Sequence, residues 1–425
     1  MNAKARTLIP FVLAFVVTAT AVGVAAQTDG KMQYMRSYSQ KGVNVFEAPS
    51  ETEVPFNGLA VGWGAAFTQQ MQGLDHSNEP GGLIELGTGF NTATANLNLD
   101  VQLADGIRVN VITYMSSRHH PEAWVKGGYI QADKLTVLNN ETIDRLMENL
   151  TIKVGHFEIN YGDAHFRRSD NGNVLYNPFV GNLIMDAFNT EIGAEVYYRN
   201  NGWLAMAAVT GGEIKGSVDR PDGKSPSYYG KVGYDSQINT DLRLRLTGSA
   251  YTTSKSLNNT LFSGDRGGSR YYLVLEEEGA STSSKFTSGR FNPGLRSKVT
   301  ALVFNPFIKF KGLEVFGNIE QAKGQAANET ADRTWNQYAG EVLYRFFEGE
   351  KAYVGGRFNT VSGELAGSGA DVSIDRMQVG AGWFVTENIL IKAEYVDQAY
   401  DDFPAGDLKE GGGFDGFMLE STVAF

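Results

Sequence analysis

The side chains with the most varied chemistry to offer are five histidines, all within the first 165 residues: His76, His119, His120, His156 and His165. His119 and His120, next to Glu122, present the nitrogen and oxygen donors that a transition metal takes. Adjacent strand residues point to opposite faces, however, so the pair does not chelate together and the histidines read as solvated loop residues, with no metal. Serine, histidine and aspartate all occur, but no G-x-S-x-G elbow presents a nucleophile. Gly411-Gly412-Gly413 lacks the strand-turn-helix setting of a phosphate loop and reads as loop flexibility. The chain has no cysteine, which excludes thiolate chemistry, cysteine-held metals and a disulfide framework. These residues predict a non-enzyme without cofactors.

A denser signal comes from charges at a spacing of two. Arg243 and Arg245 alternate with Leu242, Leu244 and Leu246. If the leucines face lipid, the arginines face inward, because a charge facing lipid at mid-bilayer costs ~2–4 kcal/mol. The same phasing sends Arg108, Lys153, Lys231, Arg345, Arg357, Arg376 and Lys392 inward, together with Asp100, Glu191, Glu195, Asp235, Glu341, Glu394 and Glu420. So many charges of both signs predict a wet lumen with a mild ion preference. The alternative is that they pair across strands and only stiffen the wall.

Residues 160–188 form a long, aromatic and basic segment carrying His165, Arg167, Arg168, Tyr176, Asn177, Pro178 and Phe179. A wide barrel leaves an aqueous channel unless something narrows it. This segment is expected to fold inward as a pore constriction at His165, Arg167, Arg168 and Tyr176, with the two arginines as its charged tips. The longer 253–296 segment, dominated by Ser, Gly and Glu, reads as an exposed flexible loop.

The elements that position these groups are strands. From 92 to 103, Ala93, Ala95, Leu97, Leu99, Val101 and Leu103 share one face, and six polar residues share the other. Asp105-Gly106 is a hairpin turn, after which Ile107, Val109 and Val111 continue the alternation. The unit recurs through turns at 200–202, 239–241, 311–312, 348–350 and 387–388. Long polar connections near 74–91, 160–188, 211–226, 253–296, 322–335, 362–374 and 398–414 separate the hairpins. Short turns alternating with long loops predict an all-β fold, a transmembrane antiparallel up-and-down β-barrel of about 16 strands, with periplasmic turns and extracellular loops. Residues 133–149 break the short-turn rule, and Glu141 to Leu150 reads as a short amphipathic helix. Tyr197, Tyr198, Trp203, Tyr338, Tyr344, Phe346, Trp383 and Tyr395 lie near strand ends, as interfacial girdles require.

The termini and composition agree. Lys4 and Arg6 precede an apolar run from Phe11 to Val24, and Val24-Ala25-Ala26 reads as a cleavage site. The expected organisation is a signal peptide at 1–26, a periplasmic extension or small plug at 27–58, and a barrel at 59–425. The final strand, Phe417 to Phe425, is apolar on one face and resembles the closing strand of a bacterial outer-membrane β-barrel, a resemblance that implies Phe425 is its assembly signal. Mean hydropathy is only -0.25, as expected for strands that show lipid every second residue. Without the signal, 35 basic residues stand against 48 acidic ones, a net charge of -13 that excludes nucleic acid as a partner.

With these strands and turns in place, the chain resembles 16-stranded general and substrate-selective Gram-negative porins. Val154-Gly155-His156-Phe157-Glu158 with Tyr161-Gly162 looks like the strand before the inward loop of phosphate-selective porins. Asn96 to Gly106 and Gly382 to Asn388 are similar to runs in uncharacterised porin-like proteins of Bacteroidota-type bacteria. The resemblance implies a homotrimer and a basic constriction; Arg167, Arg168, Arg243 and Arg245 match the kind of residue that role requires. The net acidity departs from the dense Arg/Lys ladder of phosphate-selective members.

The expected function is passive diffusion of small hydrophilic solutes or ions across the outer membrane of a Gram-negative cell. Expected partners are outer-membrane lipid, lipopolysaccharide, the barrel-assembly machinery acting on the last strand, and the solutes themselves. Two other readings stay open: a hydrophobic-substrate channel of the fatty-acid type, and a closed structural or adhesive surface barrel.

Overall fold

The computed structural model describes residues 60–424 except 169–173, 216–217, 219–222, 265–267 and 387. The expected signal peptide, the 27–58 extension and Phe425 lie outside the described residues.

Seventeen strands form one antiparallel sheet: β1 (Ala60–Ser77), β2 (Gly89–Phe90), β3 (Thr94–Ala104), β4 (Ile107–Ser116), β5 (Trp124–Ala132), β6 (Leu150–Glu158), β7 (Thr190–Asn200), β8 (Trp203–Thr210), β9 (Ser227–Gln237), β10 (Leu242–Thr253), β11 (Lys298–Phe310), β12 (Leu313–Gln325), β13 (Arg333–Phe346), β14 (Ala352–Glu364), β15 (Asp371–Thr386), β16 (Ile389–Asp401) and β17 (Gly413–Ala424). β2 is a two-residue ladder against Met71 and Gln72. The other sixteen strands each pair with their sequence neighbours. β1 closes the ring, pairing with β3 along Ala60–Thr68 and with β17 along Ala66–Ser77. The fold is a closed sixteen-stranded antiparallel barrel, which leaves no unpaired edge.

The faces are inverted relative to a soluble barrel. On β16, Lys392, Glu394 and Gln398 are buried inside while Ile391 and Tyr395 are exposed outside. Arg245 is buried and Leu246 exposed, which is the phase read from the sequence. Of the aromatics placed in the outer girdle, Tyr198, Trp203, Tyr338, Tyr344, Trp383 and Tyr395 are exposed. Tyr197 is not: it is fully buried in the interior, because neighbours on a strand face opposite ways and Tyr198 takes the outer side.

The short connections lie at one end of the barrel. Asn201 and Gly202 both take positive φ (49° and 83°), the geometry of a two-residue hairpin that matches strand twist. The 133–149 connection carries helix α1 (Glu141–Met147), whose N-terminus is capped by Asn140 accepting from Thr142 and Ile143 N–H at 3.0 and 3.2 Å. The helix stops three residues before the predicted Leu150, which instead opens β6. At the long-loop end, strands β12 to β15 run past their predicted ends, leaving connections of only 326–332 and 365–370. Their outermost outward residues, such as Gln321, Lys323 and Thr334, are polar while Ala322 and Trp335 on the inner face are apolar, so the apolar-out alternation that marks a strand is lost there.

The core lies inside the barrel. Two long connections, an inner loop at 159–189 and an upper loop at 254–297, enter the ring and pack on its inner wall. Val180, Ile184 and Met185 from the inner loop join Leu261, Tyr271 and Val274 from the upper loop, against Trp335, Ile374 and Met418 of the wall. The upper loop was expected to be exposed, which holds at 277–279 and 283–285 and fails at 269–272, 274–275 and 288–289, which are buried. Ser, Gly and Glu dominate its composition, but the apolar run Tyr271 to Leu275 is largely buried and wall side chains capture its backbone.

Candidate functional site

The inner loop is rooted beside the end of β6. Asp163 accepts from Lys231 Nζ at 2.8 Å, from Arg245 Nε and Nη2 at 2.9 and 3.0 Å, and from Thr247 Oγ1 at 2.7 Å. Its own N–H donates to Asn305 Oδ1 at 2.8 Å. One residue thus joins β9 and β10 through its carboxylate and β11 through its backbone N–H to the base of the loop. His165 sits at this root, buried, bonded to Glu158 and to Asn160 Oδ1. Glu195, paired with Lys153 at 3.3 Å, accepts from Asn160 N–H at 3.1 Å.

From this root the chain crosses the lumen. Arg167 reaches Glu314 at 2.8 Å and Glu341 at 3.2 Å, with its guanidinium over the Phe316 ring. Arg168 pairs with Asp186 farther along the same loop, and Arg290 of the upper loop reaches Asp186 at 3.1 Å. On the far wall, Lys392 donates to the carbonyls of Asn177 and Phe179, both at 3.1 Å, and pairs with Glu420. Glu394 accepts from Val180 N–H at 2.8 Å, and Arg357 Nη1 donates to Gly181 O at 2.8 Å. Asn359 accepts from Ile184 N–H at 2.8 Å, and Gln337 both accepts from and donates to the Met185 backbone. Tyr176, also in this stretch, is buried. The wall therefore satisfies the loop's buried backbone groups one by one, as a segment removed from water requires.

Arg376 ties the two loops together. Its Nη1 donates to Asn182 O at 2.6 Å, its Nη2 to Gly289 O of the upper loop at 2.5 Å, and its Nε to Gln398 at 2.5 Å. The loops are in close contact at Gly181, where a Cβ would lie 2.0 Å from the Tyr271 hydroxyl. Between Arg167, Arg168, Asp186, Glu341 and Arg357 there is a cavity of about 10 Å³, room for a single water.

The residues picked from sequence thus separate into two groups. Glu195, Arg245, Glu341, Arg345, Arg357, Arg376, Lys392, Glu394 and Glu420 converge on the inner loop or on its ion-pair partners; Arg345 joins through Glu314 at 2.9 Å. Asp100 and Arg108 lie apart: Asp100 accepts from Asn110 at 2.7 Å, and Arg108 pairs with Asp133 at 3.3 Å near the short-turn end. Asp235 pairs with Arg243 at 2.8 Å and also reaches Arg245. These wall charges are engaged with each other or with loop backbone, which is the pairing alternative read from the sequence. Burial of ions is tolerated only with such pairing. The histidines are also less exposed than expected: His76 and His156 are half-buried strand residues, and His165 is buried. Among the described residues no group of three His, Cys, Asp or Glu is arranged to hold a metal.

Sequence reasoning missed Asp163, Asp186, Glu314, Gln337, Asn359 and Gln398. For Glu314, Gln337, Asn359 and Gln398 the signal was available, since extending the period-two phase from Val315, Tyr338, Phe358 and Tyr395 places them inward. Asp163 and Asp186 lie in a loop without periodicity.

Farther out, Glu213 joins the 211–226 loop to the upper loop. Burial pushes its carboxyl up, but hydrogen bonds from Lys224, Ser256 and the Leu257 amide outweigh this and hold it below its ordinary value.

No protein-family model and no curated protein sequence matches the chain. Solved structures do. The barrel is similar to an anion-selective porin from Comamonas acidovorans (TM-score 0.54, 11% identity, covering 86% of this chain and 100% of that one). It is also similar to the trimer form of the Vibrio cholerae outer-membrane protein OmpT (0.51, 10%, 87% and 100%) and to Pseudomonas putida OprB (0.50, 9%, 87% and 94%). At such identities the likeness is one of fold. The chain has the closed sixteen-stranded barrel fold of outer-membrane porins.

Proposed function

We propose that this protein is a porin-type channel of the Gram-negative outer membrane, passing small hydrophilic solutes or ions without energy input. The observation that carries this reading is the inner loop itself, which crosses the lumen and is held by inward polar side chains of the opposite wall. In this reading Arg167 and Arg168 set the constriction together with Tyr176, and His165 fixes the loop at its root. In this reading the inner and upper loops control flux, and passage requires one of them to yield. The long loops face the medium and the short turns the periplasm, after export on a cleaved signal peptide. Lipid and lipopolysaccharide surround the apolar outer face, and the barrel-assembly machinery acts on the last strand. A homotrimer is the proposed assembly, as in the trimer form of OmpT.

A second reading, a closed structural barrel whose loops bind a partner, is favoured by one specific observation: the wall charges around the inner loop are consumed by pairs and backbone contacts. A fatty-acid-type channel is the weaker reading, because the wall groups that meet the loops are Arg, Lys, Glu, Gln and Asn.

Single-channel recording of the folded chain in a planar bilayer, under a tenfold KCl gradient, separates the first two. Discrete steps are expected, and the reversal potential gives the preferred ion. A correctly folded barrel that conducts only after removal of residues 268–291 would establish the closed barrel instead.

A further inference from the structure

On the β1 side, opposite the Arg376 and Glu394 contacts, the upper loop is held by two further side chains of one strand. Gln72 and His76 lie four residues apart on β1, on the inner face with Leu74 between them. Gln72 Oε1 accepts from Tyr272 N–H at 2.9 Å, and its Nε2 donates to Tyr272 O at 2.7 Å. His76 Nδ1 accepts from Leu275 N–H at 2.9 Å, and its Nε2 donates to Ile84 O at 2.7 Å.

These partners leave the imidazole one protonation state. A backbone N–H can only donate and a carbonyl can only accept. Nδ1 must therefore be bare and Nε2 must carry the proton, so the ring is neutral. An imidazolium would turn an N–H toward the Leu275 N–H and lose that bond. The ring also spans a two-stranded contact, since Ile84 N–H donates to Glu276 O at 2.9 Å and Leu83 bridges Glu277.

The captured segment is held against its own preference. Arg270, Leu273 and Leu275 take φ of 80°, 64° and 50°, the left-handed region that bulky side chains avoid. A segment strained in this way relaxes when its clamps weaken. Farther along, Arg118 covers the Phe286 ring at 3.9 Å and bonds Ser283, so the strip reaches across the mouth to the 117–123 loop.

We propose that His76 is an acid-sensitive latch on the 268–291 strip: the neutral imidazole holds the strip across the barrel mouth, and protonation releases it. This rests on the channel reading for its consequence, which is opening in acid, but not for the movement itself. His76 is half-buried at the long-loop end, within reach of the medium. The charged groups on the elements packed around it are Asp75 on its own strand, Glu79 and Glu85 on the 78–93 loop, Asp415 and Glu420 on β17, and Arg270, Glu276, Glu277, Glu278, Lys285 and Arg290 on the strip. Glu276 is itself paired with Lys285 at 2.7 Å. Histidine is the side chain that changes charge between about pH 5 and 8, and single imidazoles of this kind switch interfaces.

The test uses the full chain in lipid, with spin labels on Thr287→Cys in the strip and Lys323→Cys on β12, both exposed. The chain has no cysteine of its own, so labelling is confined to these sites. A narrow inter-label distance distribution is expected at about pH 8, and a second, broader population at about pH 5. His76→Gln keeps an acceptor and a donor at all pH and is expected to stay narrow at both. Gln72→Leu, which removes the companion clamp without a titrating group, is expected to broaden the distribution at both. An unchanged wild-type distribution overturns the latch, as does acid broadening that survives in His76→Gln. Parallel bilayer recording keeps the two readings apart: movement without conductance sinks the channel and leaves the latch, and conductance without movement does the reverse.

Discussion

The Tyr271 hydroxyl donates to Glu394 at 2.6 Å, and the same carboxylate accepts from Val180 N–H at 2.8 Å. One strand residue therefore holds the upper loop and the inner loop at a single point. Glu394→Ala is expected to free both loops and to raise single-channel conductance and open time. Recording alongside wild type checks this; an unchanged conductance shows that the loops are held independently of Glu394.

Asp163 is the root of the inner loop. Asp163→Asn leaves Lys231 and Arg245 as buried cations short of a counter-charge, a change that costs roughly 3–5 kcal/mol. The expected outcome is a lower urea midpoint for the folded, heat-modifiable form. A midpoint equal to wild type would mean that water reaches these cations.

Arg167 and Arg168 test the constriction. Neutralising both, as Arg167→Gln with Arg168→Gln, leaves Glu314, Glu341 and Asp186 with fewer cationic partners and is expected to shift selectivity toward cations. The reversal potential under a KCl gradient reads this directly. If it does not move, the inner loop does not line the conduction path.

Gly181 has no room for a side chain, since its Cβ would fall 2.0 Å from the Tyr271 hydroxyl and 2.5 Å from the ring carbon that bears it. Gly181→Ala is expected to separate the loops and loosen packing, with partial restoration in the double variant carrying Tyr271→Phe. A double-mutant cycle on thermal stability gives the coupling. Additive effects would place the two residues out of contact.

Glu213 gives a pH dependence with a defined sign. Its carboxyl is held below its ordinary value of 4.5, so its stabilising contribution is complete above that value and is lost as pH falls through the lowered one. Amide exchange at Leu257, whose N–H donates to Glu213 at 3.0 Å, is expected to lose protection in that acid range, beyond the intrinsic change in exchange rate. Protection that persists there would contradict the assignment.

Sequence alone determined the barrel and the direction of its side chains. The alternation of Leu242, Leu244 and Leu246 with Arg243 and Arg245 admits one orientation, because the wrong one puts arginine in lipid at a cost of ~2–4 kcal/mol per residue. The expectation that 160–188 folds inward had a related basis: an aromatic, basic segment inside a ring too wide to stay empty. The partners of those charges were not legible. Arg376 meets Gly289, 87 residues away in sequence, and Lys392 meets Phe179, 213 away, through backbone carbonyls that carry no residue-specific signal. The upper loop was misjudged for the same reason, since Ser, Gly and Glu look solvated until Arg376, Gln398, Gln72 and His76 are seen to hold their backbone. Strand phase is a local property of period two and a lipid boundary. The filling of the interior depends on which distant backbone groups the closed ring brings within hydrogen-bond reach, and only the tertiary structure decides that.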